Sequence, residues 1–212
     1  PVDTSLIKGA MSYRHFVLGV LGIGMYMGIE VGVPNYANLY MIDLGIPASV
    51  AGPLVAVYWF MMLIGRFVGA SIGSKVSSRA MITVVATASL LLVLFGMFAP
   101  STWTVDVPGV DWANLSMITQ NVPVGVFAFL LVGLCTSVMW GGIFNMAVEG
   151  LGKYTAIASG IFMPMVFFCA VMMAVQGYVA DLFGYINSYW VVVICAAYVL
   201  FYAQIGSRTS KN

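Results

Sequence analysis

Six apolar runs of about twenty residues or more, parted by short breaks rich in Gly, Pro and polar residues, leave this chain few ways to fold. They lie at about 15–40, 50–72, 80–99, 122–147, 155–180 and 187–206, with breaks at 43–49, 73–79, 100–121, 150–154 and 181–186. Each run meets the ~20 residues that a helix needs to cross the hydrocarbon core of a bilayer. Backbone polar groups at that depth find no water, so a spanning segment satisfies them internally as a helix. Charged residues make up only 7% of the 212 residues, against about 25% in soluble domains. The sequence therefore predicts an all-α integral membrane protein, a six-transmembrane-helix bundle over residues 15–212 behind a cytoplasmic lead-in at 1–14. The chain opens on Pro1 rather than Met and shows no signal-peptide pattern, which leads us to expect a processed or fragmentary chain.

Orientation follows from the basic residues. Lys8 and Arg14 precede the first run, Lys75 and Arg79 join the second to the third, Lys153 joins the fourth to the fifth, and Arg208 and Lys211 follow the sixth. All seven fall on one side, and the loops of the other side hold none. The positive-inside rule places both termini in the cytoplasm and predicts a multi-pass protein of the cell (inner) membrane. A net charge of +1 without a basic patch offers nucleic acid nothing to bind. One histidine, His15, and three cysteines scattered in apolar runs (Cys135, Cys169, Cys195) supply no metal site and no disulfide framework. With no Ser–His or paired-acid constellation, the sequence points to neither an enzyme nor a cofactor protein.

What chemistry there is lies in the polar residues of the spans. Glu30 is the one acid well inside an apolar run, and a carboxylate in hydrocarbon faces a polar cavity or a partner. Pro34, with Gly28 and Gly32 close by, predicts a break in helix regularity there. On a regular helix Asn38 falls about 80° from Glu30 and Asn35 about 140° away, so only Asn38 shares its face unless Pro34 unwinds the turn. Interhelical hydrogen bonding would also explain both asparagines. Arg66, fifteen residues beyond Ala51, lies about 22 Å from the outer surface, while Glu30 lies about 22 Å from the inner one. In a core about 30 Å thick their depths differ by about 14 Å, which predicts two separate devices rather than an ion pair. Arg66 can snorkel toward the cytoplasmic face, and with Lys75 and Arg79 it is assigned a gating or structural role. Trp59 shares the Arg66 side of its helix further out. Trp140, followed by two glycines and Asn145, suits a cavity wall, although tryptophan is also common at membrane interfaces. Phe162, Met165, Cys169, Met172 and Gln176 recur at helical spacing and read as a packing stripe with Gln176 as its polar handle.

At these residues the chain resembles a family. Val57-Tyr58-Trp59-Phe60-Met61-Met62-Leu63-Ile64-Gly65-Arg66-Phe67-Val68-Gly69 is similar to the eighth helix of the fucose–galactose–hexose:proton symporters of the major facilitator superfamily. Trp140-Gly141-Gly142-Ile143-Phe144-Asn145-Met146, then Leu151-Gly152-Lys153-Tyr154-Thr155 and Ser159-Gly160, resembles their tenth helix and the loop after it. Gly177-Tyr178-Val179-Ala180-Asp181 resembles the end of the eleventh. The order and spacing of these stretches carry the resemblance. Gly141 replaces a proline frequent in the family, and the bulkier Phe168-Cys169-Ala170 replaces a Gly-rich triplet, which implies a narrower or reshaped cavity. The resemblance implies the C-terminal half, helices seven to twelve, of a twelve-helix fold whose halves are inverted three-helix repeats. It implies alternating-access transport of a monosaccharide (fucose, galactose or glucose type) with a proton. The partners are then the sugar, the proton, the lipid bilayer and a missing N-terminal six-helix half. Reading the residues and the resemblance together, we expect Glu30, Asn38, Trp59 and Trp140 to contact substrate, with Asn35, Asn145 and Gln176 behind them; the resemblance favours sugar contact over proton relay at Glu30, because the family's main coupling acid lies in the other half. The alternatives are a half-carrier for another small solute, an organic anion or drug, and a six-helix membrane scaffold.

Overall fold

The computed structural model describes residues 4–100 and 102–208; Pro1 and Lys211 lie outside these. A short helix α1 (Thr4–Met11) leads into α2 (Arg14–Asp43), α3 (Ala48–Ile72) and α4 (Ser78–Phe98). After a β-hairpin come α5 (Val124–Thr136), α6 (Met139–Ala147), α7 (Thr155–Phe162), α8 (Phe168–Phe183) and α9 (Tyr185–Phe201). Among the described residues five helical runs are long and apolar enough to cross a membrane, and α5 with α6, bent by 40°, makes a sixth when the pair is taken as one span.

Helix α2 is the hub, packed on α9, α8, α6, α5 and α3. Its glycines let the neighbours in. A Cβ on Gly24 would run into Phe168, one on Gly28 into Met172 and Cys195, and one on Gly32 into Gln176. Small residues at four-residue spacing allow this close approach, which in lipid must come from packing because burial there gains nothing over contact with acyl chains. The Phe162–Gln176 stripe is the opposing surface, as its spacing implies. Tyrosine hydroxyls then fasten the helices through backbone carbonyls: Tyr36 donates to Met173 O (2.6 Å), Tyr189 to Val33 O (2.7 Å), Tyr198 to Leu18 O (2.7 Å) and Tyr202 to His15 O (3.0 Å).

The structure departs from the sequence reading in four places. Pro34 does not break α2, which continues to Asp43, and the proline is buried among its neighbours. The run at 122–147 is not one helix, since α5 ends at Thr136 and α6 starts at Met139. There the hydroxyl of Thr136 bonds Gly133 O (3.2 Å) and that of Ser137 bonds Leu134 O (2.6 Å), side-chain bonds that compete with the helical ladder. The run at 155–180 tightens into a 3₁₀ segment at Met163–Phe167 around Pro164, whose ring cannot donate within a regular helix. The connection at 100–121 holds an antiparallel hairpin, β1 (Thr104–Asp111) and β2 (Ser116–Pro123), with Val107 opposite Gln120. Its turn closes on Asp111, whose carboxylate accepts from the backbone N–H groups of Ala113 (3.0 Å) and Asn114 (3.4 Å). Gly109 lets β1 lie against Val50 at the start of α3.

Candidate functional site

Two irregular places in the bundle, the α5–α6 joint and the 3₁₀ segment, meet α2 and α3 around one pocket. Helix α2 contributes Tyr26, Met27 and Glu30; α3 contributes Arg66; the α5–α6 joint contributes Ser137; α6 contributes Trp140 and Gly141; the 3₁₀ segment contributes Met163 and Val166. The cavity measures about 540 Å³, within the range of small-molecule sites. Glu30 is the seventeenth of the thirty residues of α2, which sets it near the middle of the span. Tyr26 precedes it by one turn on the same face, where i and i+4 side chains meet, and its hydroxyl interacts with the Glu30 carboxyl. The Tyr26 ring also meets Trp140 edge to face at 6.4 Å. Arg66 donates from Nη2 to Met62 Sδ at 3.6 Å, so its guanidinium turns back along α3 rather than toward the loop after it.

Glu30 and Arg66 make no ion pair, as the depth count expects, but they line one cavity and so are not separate devices. The count used Cα positions, but side chains in a helix lean toward its N-terminus. Helices α2 and α3 are consecutive spans and run in opposite senses, so Glu30 leans one way, Arg66 the other, and the two converge on the same cavity. One acceptor carboxylate, one guanidinium with fixed donors, two hydroxyls and an aromatic face give what a neutral polyhydroxylated ring needs: donors and acceptors for its hydroxyls and a surface for its C–H groups.

The other residues singled out from the sequence lie elsewhere. Asn38 is half-buried and Asn35 exposed; the Asn35 amide donates to Val31 O at 2.7 Å on its own helix. With α2 continuous, the rotation that separates Asn35 from Glu30 stands. Trp59 is 44% exposed and stands edge-on to the Tyr58 ring at 5.1 Å, two turns before Arg66. Asn145 lies in a second, smaller cavity of about 260 Å³ with Ser77, Ser78, Arg79, Met146 and Glu149, where its amide reaches Ser78 Oγ at 3.4 Å. Arg79 fastens the start of α4 to Ser207, beyond α9, with Nε to Oγ at 3.3 Å and Nη2 to O at 3.5 Å. Lys75 is exposed in the turn after α3. Gln176 is 1% exposed, packed on Gly32 and bonded to Ser188 Oγ at 3.3 Å. Replacing Gln176 by Ala is thus expected to lower the melting temperature of the purified protein by a few degrees, about 0.5–1.5 kcal/mol for one lost hydrogen bond, and to leave ligand affinity unchanged; a loss of affinity at unchanged stability would place it at the site instead.

Tyr26 and Ser137 were missed. Tyr26 could have been found from its four-residue spacing to Glu30, and Ser137 from the polar pair Thr136-Ser137 in the middle of an apolar run. Tyr58 was missed as well. It is fully buried, and its hydroxyl donates to Glu30 O at 2.9 Å and lies 3.2 Å from Thr136 Oγ1. Among the described residues no group of three His, Cys, Asp or Glu side chains could hold a metal ion.

No family model matches the chain. It is 29% identical over 203 residues to a glucose/galactose transporter of Brucella abortus biovar 1 (strain 9-941), covering 94% of this chain and 44% of the relative. It is 26% identical over 211 residues to a putative glucose/galactose transporter of Helicobacter pylori (strain J99), covering 97% and 47%. It is 22% identical over 202 residues to the L-fucose-proton symporter of Escherichia coli K12, covering 94% and 41%. Among solved structures, the outward conformation of the major facilitator transporter FucP superposes with a TM-score of 0.78 at 22% identity, over 92% of this chain and 43% of that one. A variant of the E. coli fucose:proton symporter FucP gives 0.83 at 20% identity, over 98% and 46%. The chain spans less than half the length of these relatives and has the fold of half a major facilitator transporter. It is a multi-pass membrane protein, and the resemblance read from its sequence is borne out.

Proposed function

We propose that this chain is the C-terminal six-helix half of a proton-coupled monosaccharide carrier of the cell membrane, with both termini in the cytoplasm. The observation that carries the reading is the mid-span pocket in which Glu30, Arg66, Tyr26 and Trp140 converge. Intramembrane charges mark substrate or ion pathways by default, and carrier sites lie near the midplane between two six-helix halves that rock against each other. The other half would close the pocket on the side where Met163 and Arg66 are exposed, and the chain would carry out no covalent chemistry. Within the pocket, Glu30 accepts from sugar hydroxyls, Arg66 donates to them, and Trp140 lies against the C–H face. Asn38 and Trp59 border the path to the site on the same helices. Glu30 and Arg66 bring opposite charges to one pocket, so the site gives a cargo no net charge to neutralise, which favours a neutral sugar over an organic anion.

Sugar-dependent fluorescence tests this. Galactose, glucose or fucose is expected to quench the tryptophan emission of the full-length carrier saturably, and Trp140→Phe is expected to remove most of the change while Trp190→Phe does not. Quenching by an organic anion and not by any of the three sugars would favour the other cargo class.

A further inference from the structure

We infer that Tyr58 is a positioning residue for the sugar site: its hydroxyl supplies the hydrogen bond that Pro34 cannot give to Glu30, and it joins there three of the helical units that line the pocket, α2, α3 and the α5–α6 joint. The inference rests on the reading of the Glu30 pocket as the sugar site. In a regular helix the N–H of residue 34 reaches the carbonyl of residue 30, but Pro34 has no N–H. Helix α2 nevertheless runs unbroken through this point, so the Glu30 carbonyl lacks its helical partner at a depth where water does not replace it. Tyr58 of α3, fully buried, donates to that oxygen at 2.9 Å.

A phenol has one proton to give. With that proton on Glu30 O, Tyr58 can only accept from Thr136, whose Oγ1 lies 3.2 Å away and whose own proton is shared between Tyr58 and Gly133 O. Thr136 is the last residue of α5, directly before Ser137 and four residues before Trp140, which reaches the pocket from α6. One hydroxyl therefore sits between the turn that bears Glu30, the helix that bears Arg66 and the joint that aims Ser137 and Trp140. Its loss would let the Glu30 turn shift relative to Arg66 and Trp140, which loosens sugar binding without removing any group that touches sugar.

The test is a rescue. In the full-length carrier, Tyr58→Phe is expected to raise the sugar concentration for half-maximal uptake about tenfold, the effect of one lost buried bond, with the maximal rate little changed. Pro34→Ala restores an N–H at position 34 and, alone, is expected to behave like the unaltered protein. The double variant Tyr58→Phe with Pro34→Ala is expected to recover part of the lost affinity, because the helix then satisfies the Glu30 carbonyl itself while the tie to α3 and Thr136 stays broken. A double variant no better than Tyr58→Phe, or a Tyr58→Phe carrier with unaltered half-saturation, overturns the inference. Should Tyr58→Phe fail to insert, the double variant decides: recovered insertion and sugar affinity support the role, and no recovery contradicts it. Failure of the sugar reading itself would show differently, as a parent carrier whose melting temperature sugar does not raise; the rescue is then read in the melting temperatures alone.

Discussion

Glu30→Gln is expected to cut sugar uptake by about tenfold to a hundredfold at low sugar concentration while the protein inserts and purifies at normal yield. Gln keeps the length and shape of Glu, so the packing of α2 against α3 and α6 has no steric reason to change. What is lost is the negative charge, and with it the charge-assisted hydrogen bonds to sugar hydroxyls, about 1.5–3 kcal/mol each, which is that range of affinity. The guanidinium of Arg66 would also face a cavity without a carboxylate. Initial uptake rates of labelled sugar into proteoliposomes at several concentrations give the answer. Unaltered kinetics would mean that Glu30 is a packing acid held by Tyr26 and no part of the sugar site.

Gly133→Leu is expected to lower the melting temperature by several degrees and to reduce the yield of folded protein. Helices α3 and α5 are among the most intimately packed pairs of the bundle, and a Cβ on Gly133 would run into the backbone carbonyl of Tyr58, which cannot swing aside as a side chain can. The same crossing admits no side chain at Gly65, whose Cβ would meet Ser137 and lie 2.8 Å from Leu134 O. Overpacking of this kind costs about 1–3 kcal/mol and sometimes more, at about 2–4 °C of melting temperature per kcal/mol for a chain of this size. The branched side chain would also push α5 away from Tyr58 and open the Tyr58–Thr136 contact. Gly160→Ala is the control: nothing lies within 4 Å of a Cβ there, and its melting curve is expected to match that of the parent. A Gly133→Leu protein that elutes as one sharp peak and melts like the parent would show that α3 and α5 do not cross where the structure has them.

Much of the fold was legible because a membrane span announces itself by length and apolarity alone. What lay beneath that signal was not. Hydropathy does not register Ser137 or Pro164 as breaks, since one polar or cyclic residue barely changes the mean of a twenty-residue window, yet each alters the local ladder of hydrogen bonds. The hairpin at 104–123 was hidden because its two strands are short, half-polar and flanked by runs with a far stronger signal. At the site, Glu30 and Trp140 could be named from residue type, but their meeting with Arg66 could not be read from Cα depth; it depends on the opposite lean of side chains on antiparallel helices. Asn145 and Gln176 show the converse. Both are polar residues in spans, and both are used to fasten helices, Asn145 to Ser78 and Gln176 to Ser188, because in lipid a polar side chain serves packing as readily as it serves a ligand.

Calorimetric titration of a neutral monosaccharide into the purified full-length carrier, repeated with Glu30→Gln and Trp140→Phe, tests the central claim most directly. The pocket as built predicts saturable binding of one sugar per carrier for at least one of galactose, glucose and fucose, markedly weaker binding by both variants, and no comparable binding of the uronic acid of the same ring. Sugar binding of equal strength in the parent and in both variants would place the sugar somewhere other than the pocket of Glu30, Arg66 and Trp140.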